Sequence, residues 1–162
     1  MDTVVAAVIR RNEDSRLLII RRGRKLASFP GLLCLVGGRV DATDVRDPGV
    51  GSMAYREELT LGYALVREVR QEIGGKVVVE LKNIQKAYRY EDPKKRFVVH
   101  MVECHLDMNE DESLELSLRE VDELRWMTVQ ELLAEKDLIP SLQEWVKHQM
   151  TADASSVTGE LI

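Results

Sequence analysis

The chain begins with two segments rich in aliphatic and β-branched residues, separated by polar ones. Residues 3–10 read TVVAAVIR and residues 16–22 read RLLIIRR, whereas residues 11–15 are polar. Apolar runs of this kind are typical of strands, and a short polar connection is typical of a hairpin. The pattern therefore predicts two paired strands, followed by a basic loop that contains Arg22, Gly23, Arg24 and Lys25.

The clearest helical pattern covers residues 60–73. Apolar residues share one side of this helix at the expected spacing: Leu59, Val66, Val69 and Ile73. Thr60 is the predicted N-cap, because its hydroxyl can accept a hydrogen bond from the first turn. Gly74 and Gly75 are expected to end the helix, since glycine readily adopts the left-handed conformation.

The remaining pattern adds short strands and two terminal helices. Residues 32–36 form a short apolar run, strands are predicted at residues 76–81, 84–90, 96–106 and 123–127, and helices are predicted at residues 128–135 and 140–150. Strands around one central helix, followed by terminal helices, predict a layered α/β domain. We expect a single domain over residues 1–150 and a flexible tail over residues 151–162, where small polar residues predominate.

Composition limits the classes of partner. The 162 residues include 23 Lys and Arg against 28 Asp and Glu, which gives a net charge of −5. Proteins that bind nucleic acid regardless of its sequence carry a basic surface, so no nucleic-acid partner is expected. An anionic small molecule would require local cations, backbone amides or a bound metal ion.

Cysteines and apolar runs suggest a location. Cys34 and Cys104 lie in apolar stretches without a CxxC pair, which favours buried free thiols. The first residues have no basic leader before an apolar run, and no run is long enough to span a bilayer. We therefore expect a cytoplasmic protein without a membrane partner.

The stretch from Arg67 to Glu72, REVRQE, carries the most informative chemistry. Residues three and four apart share a helix face, so Glu68, Gln71 and Glu72 project together. Two carboxylates one turn apart repel each other, and Mg²⁺ or Mn²⁺ suits oxygen ligands of this kind. Taken alone, the run is more typical of a solvated helix face, because glutamate is common on helices.

Two further segments, in the expected order, change this interpretation. Residues 67–74 resemble the box of the Nudix hydrolase family, Arg-Glu-apolar-x-Glu-Glu-x-Gly. Residues 30–38, PGLLCLVGG, resemble the family's approach to the box, and residues 123–126, ELRW, resemble its closing strand. The resemblance extends from about residue 3 to about residue 145. It implies an α/β/α sandwich with a mixed sheet and a central catalytic loop-helix-loop.

An insertion separates this chain from the family pattern. It lies between Gly38 and Arg67, mostly within residues 39–55, and long insertions of this kind usually lie at the surface. Counting forward from Gly38 places the family's bracing glutamate at Asp44. Counting back from Arg67 places it at Leu59, and the adjacent Glu58 is the best stand-in.

Substitutions inside the motifs are the other departures. Gln71 replaces the first glutamate of the Glu-Glu pair, so metal affinity should be lower or fewer ions should bind. Leu33 and Val36 replace the usual Trp and Pro, which is expected to alter a nucleobase pocket.

The resemblance implies a role for each member of the box. The implied metal ligands are Glu68, Glu72, Gln71 as a weaker ligand, and the carbonyl of Gly38. The general base is Glu68 or Glu120, which lies where related enzymes can carry a glutamate in a mobile loop. Many acidic residues surround Glu120 in the sequence, so the alternative is that Glu120 is a solvent-exposed residue without a catalytic role. Arg67 is expected to orient the helix and its carboxylates.

Basic and glycine residues near the box are the predicted substrate contacts. Arg22 and Arg24 could meet phosphates, and Gly37 permits close approach of the backbone. The alternative for both arginines is the solvated end of a hairpin.

The resemblance implies metal-dependent hydrolysis of a phosphoanhydride bond in a nucleoside diphosphate derivative or a nucleoside triphosphate. Gln71 keeps open a catalytically weak or inactive Nudix-like module that binds a nucleotide. Isomerisation of an isoprenoid diphosphate ranks last, because it needs an active-site Cys and a different box. A homodimer is possible because dimers are common in the family, although the sequence gives no interface signal.

Overall fold

Strands and helices make up similar shares of the described chain. The computed structural model describes residues 1–45, 53–74, 77–78, 86–106, 114–117 and 119–160. The strands are β1 (Asp2–Ile9), β2 (Leu17–Arg22), β3 (Leu33–Cys34), β4 (Val36–Arg39), β5 (Val77–Val78), β6 (Lys86–Glu91), β7 (Phe97–Leu106) and β8 (Val121–Met127). The helices are α1 (Met53–Ile73), α2 (Val129–Leu133) and α3 (Pro140–Glu160), and Ala42–Asp44 form one 3-10 turn.

The described strands form two sheets. The larger sheet has the order β4-β1-β7-β5, with β6 also paired to β7. Strands β1 and β7 run parallel, whereas β4, β5 and β6 pair antiparallel to their neighbours, so this sheet is mixed. The smaller sheet is antiparallel and has the order β3-β2-β8.

The predicted hairpin between the first two strands is wrong. A single bridge, between Arg10 and Leu17, joins their ends in the described chain. Beyond it β1 pairs with β4 and β7, whereas β2 pairs with β3 and β8. Both strands are buried on both faces, so each serves as a central strand with a neighbour on either side.

Two cores lie on opposite faces of the sheets, which gives the expected α/β/α sandwich. The α1 core packs helix α1 on alternate residues of β1: Leu61, Ala64, Leu65, Val69 and Ile73 on Val5, Ala7 and Ile9. The α3 core packs helix α3 on the other face: Leu142, Trp145 and Val146 with Ala6 and Val8. Cys34 and Cys104 are buried free thiols, as predicted.

Both long helices exceed their predicted lengths. Helix α1 begins at Met53, so Thr60 lies within it and is not the N-cap. Its first residues follow a stretch that contains Pro48, Gly49 and Gly51, a composition typical of a loop, so the sequence did not mark where this helix begins. Gly74 ends α1 with a φ of +90°, as predicted. Helix α3 continues to Glu160, and no proline interrupts it after Pro140. The flexibility of residues 151–162 stays a prediction. No described helix is long and apolar enough to cross a membrane.

Candidate active site

Helix α1 places Glu72 in a buried position on its core face. Leu61, Leu65 and Glu72 follow one another at helical spacing, and Glu72 keeps only 4% of its surface exposed. One carboxylate oxygen accepts a hydrogen bond from the Gly37 N–H, with a nitrogen to oxygen distance of 2.8 Å. A charged group in such a place is unfavourable unless it is compensated, which points to a functional use of the carboxylate.

Glu68 lies directly against the next glycine of strand β4. Its two carboxylate oxygens would be 2.5 and 2.6 Å from a Cβ atom at Gly38, so only glycine leaves room for them. Gly37 is required for another reason, because a Cβ atom there would collide with the Val5 carbonyl of strand β1. Glu68 and Glu72 therefore converge on the glycine pair of β4.

Arg67 holds Glu68 in a polar network. Its Nε and Nη2 atoms donate to the two oxygens of Asp44 at 3.0 and 2.8 Å, and Nη1 donates to Glu68 at 2.7 Å. Nη2 also donates to the Arg39 carbonyl at 2.9 Å. These carboxylates raise the pKa of Arg67, Asp44 most of all. A bidentate arginine-carboxylate pair fixes geometry as well as charge, which supports the predicted orienting role.

The carboxylate that braces Arg67 is Asp44, whereas the sequence favoured Glu58. Asp44 is 4% exposed, and the 3-10 turn folds it back to accept the Asp41 N–H at 2.7 Å. Counting forward from Gly38 was the right guide, because most of the insertion follows Asp44. Glu58 lies about two and a half turns before Arg67 on α1, too far along the helix axis to brace it.

Gln71 lies on the exposed side of α1. Its amide oxygen accepts a long hydrogen bond from Arg67 Nη1 at 3.4 Å. The buried side at this level of the helix is occupied by Glu72. A ligand role for Gln71 stays a prediction.

The segment before β8 fixes Glu120 near the end of α1. The N–H groups of Glu115 and Ser117 donate to the carbonyls of Ile73 and Glu72 at 3.1 and 2.9 Å. These are carbonyls that a helix end leaves without intrahelical partners. On the other side, the Gly23 N–H donates to the Glu120 carbonyl at 2.9 Å. Glu120 is thereby held between helix α1 and strand β2.

The three glutamates influence one another electrostatically. Burial raises the pKa of Glu72 to about 8, and the charges of Glu68 and Glu120 add to this effect against the Gly37 hydrogen bond. Burial also raises the pKa of Glu68, although Arg67 opposes the shift. A cation placed among these carboxylates would favour their charged forms.

A cavity of about 340 Å³ opens beside the glycine pair. Gly37, Gly38 and Arg22 line it, together with Phe29, Phe97, Arg96 and Ser141. The two phenylalanine rings meet edge to face, with centroids 6.4 Å apart. This volume and this mixture of aromatic and polar groups are typical of small-molecule sites.

Comparison with known proteins identifies the family. The family model described as NUDIX domain matches residues 1–149. The chain belongs to the Nudix family. Its class of enzyme is therefore that of the Nudix pyrophosphohydrolases. Among curated proteins, no significant match was found.

Solved Nudix structures share the fold. The MutT protein of Methanosarcina mazei Go1 is 20% identical with a TM-score of 0.64, and the match covers 94% of each chain. A NUDIX hydrolase of Alicyclobacillus acidocaldarius is 15% identical with a TM-score of 0.67, covering 91% of this chain and 90% of that one. The NUDIX domain of Shewanella oneidensis NrtR, complexed with ADP ribose, is 17% identical with a TM-score of 0.58, covering 91% and 87%.

The donor set of this Nudix site suits a hard cation shared with substrate. Among the described residues, no three Asp, Glu, His or Cys side chains form a ready-made metal site. Glu68 and Glu72 supply two converging carboxylates. Mg²⁺ commonly takes one or two carboxylates and completes its shell with water and substrate phosphates. The residues present therefore fit Mg²⁺ or Mn²⁺ held jointly with a phosphorylated ligand.

The structure separates the predicted substrate contacts. Arg22 and Gly37 line the large cavity, whereas Arg24 lies in a separate hollow with Lys25, Arg119 and Asp122. Leu33 and Val36 are buried in the two cores and do not line the cavity.

Sequence reasoning missed part of the cavity wall. Arg96, Phe97 and Ser141 come from the start of β7 and the start of α3, which are distant in sequence from the box. No periodicity or motif marks them. Phe29 could have been predicted, because an aromatic residue in a turn does not belong to the packed face of a strand or a helix and so needs another role.

Proposed function

We propose that the chain hydrolyses a phosphoanhydride bond in a nucleoside diphosphate derivative or a nucleoside triphosphate, with Mg²⁺ or Mn²⁺ as cofactor. The observation that carries the proposal is the convergence of Glu68 and Glu72 on the Gly37–Gly38 pair, which also lines the large cavity. A substrate that fills the cavity would present its phosphates to these carboxylates. The bound metal ion would neutralise phosphate oxygens and activate water.

Hydrolysis adds one water across a P–O–P bridge. The water oxygen bonds to one phosphorus, and the bridging oxygen leaves with the other phosphoryl group. One proton of the water goes to a base. The other proton stays on the newly formed phosphate hydroxyl or is released to solvent. The chain's own task is to hold the substrate in line and to accept that proton.

Glu120 is the better of the two predicted bases. Glu68 is tied to Arg67 at 2.7 Å, which favours its charged form and a fixed orientation. Glu120 is half-buried and, within the described chain, its carboxylate makes no ion pair. Its backbone is held, whereas its side chain can turn toward a bound water while Glu68 and Glu72 hold the cation.

A panel assay tests the proposal. Purified protein would be incubated with Mg²⁺ or Mn²⁺ and nucleotide substrates that carry two, three or four phosphates, and the phosphate products would be identified. We expect turnover that EDTA abolishes. Glu120→Gln should lower kcat by roughly 10²–10⁴-fold, the range typical of a lost general base. Glu115→Gln is the matched control, because Glu115 is exposed in the same segment.

Gln71 favours the second candidate, a domain that binds a nucleotide without hydrolysing it. Because its amide is neutral, the box carries one negative charge fewer than it would with a glutamate at this position. The amide oxygen also contacts Arg67. Nucleotide-induced thermal stabilisation without any product, in the presence of bound metal, would support this candidate against the first. Restoring turnover by Gln71→Glu would show that the missing charge is the cause.

A further inference from the structure

Three basic side chains beside the carboxylates have no role in the site described so far. Arg24, Lys25 and Arg119 surround a hollow next to the Glu120 segment, and all three are exposed. Asp122 is the one acidic residue in that lining. The hollow therefore has a local excess of positive charge on a chain whose net charge is −5.

Among the residues that the structure describes, these three cations have no acidic partner, whereas Arg21 and Arg67 each pair with a carboxylate. Arg21 pairs with Glu123 at 3.0 Å, and Arg67 pairs with Asp44 at 2.8 Å. In the described part of the chain, Arg24, Lys25 and Arg119 make no ion pair and no side-chain hydrogen bond. Unpaired cations gathered on an acidic protein indicate an anionic ligand.

The backbone path connects this hollow to the large cavity. Arg22 lines the large cavity and Arg24 lines the basic hollow, with Gly23 between them. Two residues span at most roughly 7 Å of extended chain. Gly23 donates to the Glu120 carbonyl at 2.9 Å, and a Cβ atom at Gly23 would lie 2.7 Å from the Arg119 carbonyl. The basic hollow is therefore fixed directly beside Glu120.

Given the proposed hydrolysis, on which this inference rests, we propose that Arg24, Lys25 and Arg119 bind phosphates that extend beyond the carboxylate centre. The substrate class is then a nucleoside or dinucleoside polyphosphate with at least three phosphates. A nucleoside diphosphate joined to a sugar would place a neutral group against the three cations and gain nothing from them.

Three adenosine compounds with different phosphate chains test the proposal. The ratio of kcat/KM for ATP and for diadenosine tetraphosphate to that for ADP-ribose would be measured in the wild type and in Arg24→Gln/Lys25→Gln. We expect the double variant to lower both ratios about ten-fold, since exposed ion pairs contribute up to about 1 kcal/mol each. Added KCl should reduce the wild-type ratios as well, because exposed charges are screened.

Lys94→Gln/Lys95→Gln is the matched control. It removes the same charge from an exposed turn that lines neither cavity. Unchanged ratios in the double variant, or an equal fall in this control, would overturn the proposal.

Binding separates this proposal from the proposed function. If no compound is hydrolysed, the same ratios would be measured as dissociation constants by calorimetry, with inorganic tripolyphosphate as an added probe. Weaker tripolyphosphate binding by the double variant and by Arg119→Gln would uphold the phosphate site even without catalysis. Equal binding by all variants would refute it. Far-UV circular dichroism would confirm that each variant is folded.

Discussion

Among single residues, Glu72 stands where helix periodicity would place a leucine. It shares the stripe of Leu61 and Leu65, yet it is a carboxylate that accepts a hydrogen bond from the Gly37 N–H. Burial raises its pKa to about 8. The metal-free protein therefore carries a group whose charged form is disfavoured in the folded state.

Glu72→Gln should abolish hydrolysis and stabilise the metal-free protein at high pH. Because the folded pKa of about 8 exceeds the ordinary 4.5, the unfolded state loses the proton first. The stability linked to Glu72 is complete below about pH 4.5 and is lost as pH rises through about 8. In EDTA, the Tm of the variant relative to wild type should rise by several degrees between about pH 5 and pH 9. Exposed Glu115→Gln should show no such rise, and a constant Tm difference would contradict the buried charge.

Asp44→Asn should lower kcat/KM by about ten-fold or more, because a hydrogen bond to a charged partner contributes about 1.5–3 kcal/mol. Without the second carboxylate oxygen, Arg67 would no longer be held in its bidentate geometry and would position Glu68 less well. Steady-state kinetics would measure the effect. Glu58→Gln is the control, since Glu58 is the alternative that the sequence offered. A larger loss in Glu58→Gln would reverse the assignment.

Among the elements, strand β4 joins the sheet to the catalytic helix. Its two glycines face different neighbours, since Gly37 approaches the backbone of β1 and Gly38 approaches the Glu68 side chain. A backbone carbonyl cannot move aside, whereas a carboxylate at the end of a flexible side chain can. The same substitution should therefore have different consequences at the two positions.

Gly37→Ala should destabilise the fold, and Gly38→Ala should impair catalysis while the fold persists. Overpacking against fixed backbone costs about 1–3 kcal/mol, which lowers Tm by several degrees in a chain of this size. At Gly38 the methyl group would displace the Glu68 carboxylate, so we expect at least a ten-fold loss in kcat/KM with a smaller change in Tm. Thermal melts and kinetics on both variants would check this. Equal losses of Tm would show that Glu68 is rigidly held.

Local pattern predicted the elements better than their partners. The bounds of β1, β2 and β7 follow from apolar runs, and the Glu68–Glu72 pair follows from helical spacing. The β1–β2 hairpin was wrong because each strand has partners far away in sequence. The glycine-containing stretch before α1 hid the start of this helix, and the cavity wall depends on how β7 and α3 pack. The identity of the carboxylate that braces Arg67 depends on the position of the insertion. Sequence spacing alone did not determine that position.

In the whole molecule, the large cavity depends on both cores. Glu68 and Glu72 are placed by the α1 core, whereas Ser141 and Leu142 line the cavity from the first turn of α3. Strand β1 contributes alternate residues to each core, so neither helix packs on an independent sheet. A substitution that disrupts one core should therefore also destabilise the other core.

Trp145→Ala should destabilise the whole chain rather than release α3 alone. Trp145 is fully buried in the α3 core, and truncating a buried aromatic residue typically costs about 3–5 kcal/mol. Because β1 connects the two cores, far-UV circular dichroism and Trp126 fluorescence should report one transition at a lower denaturant concentration. Leu133→Ala is the control, since Leu133 is 45% exposed and its truncation should shift the midpoint little. A separate early loss of helix signal, with Trp126 fluorescence unchanged, would mean that α3 is an independent unit. The cavity could then open without unfolding the carboxylate centre.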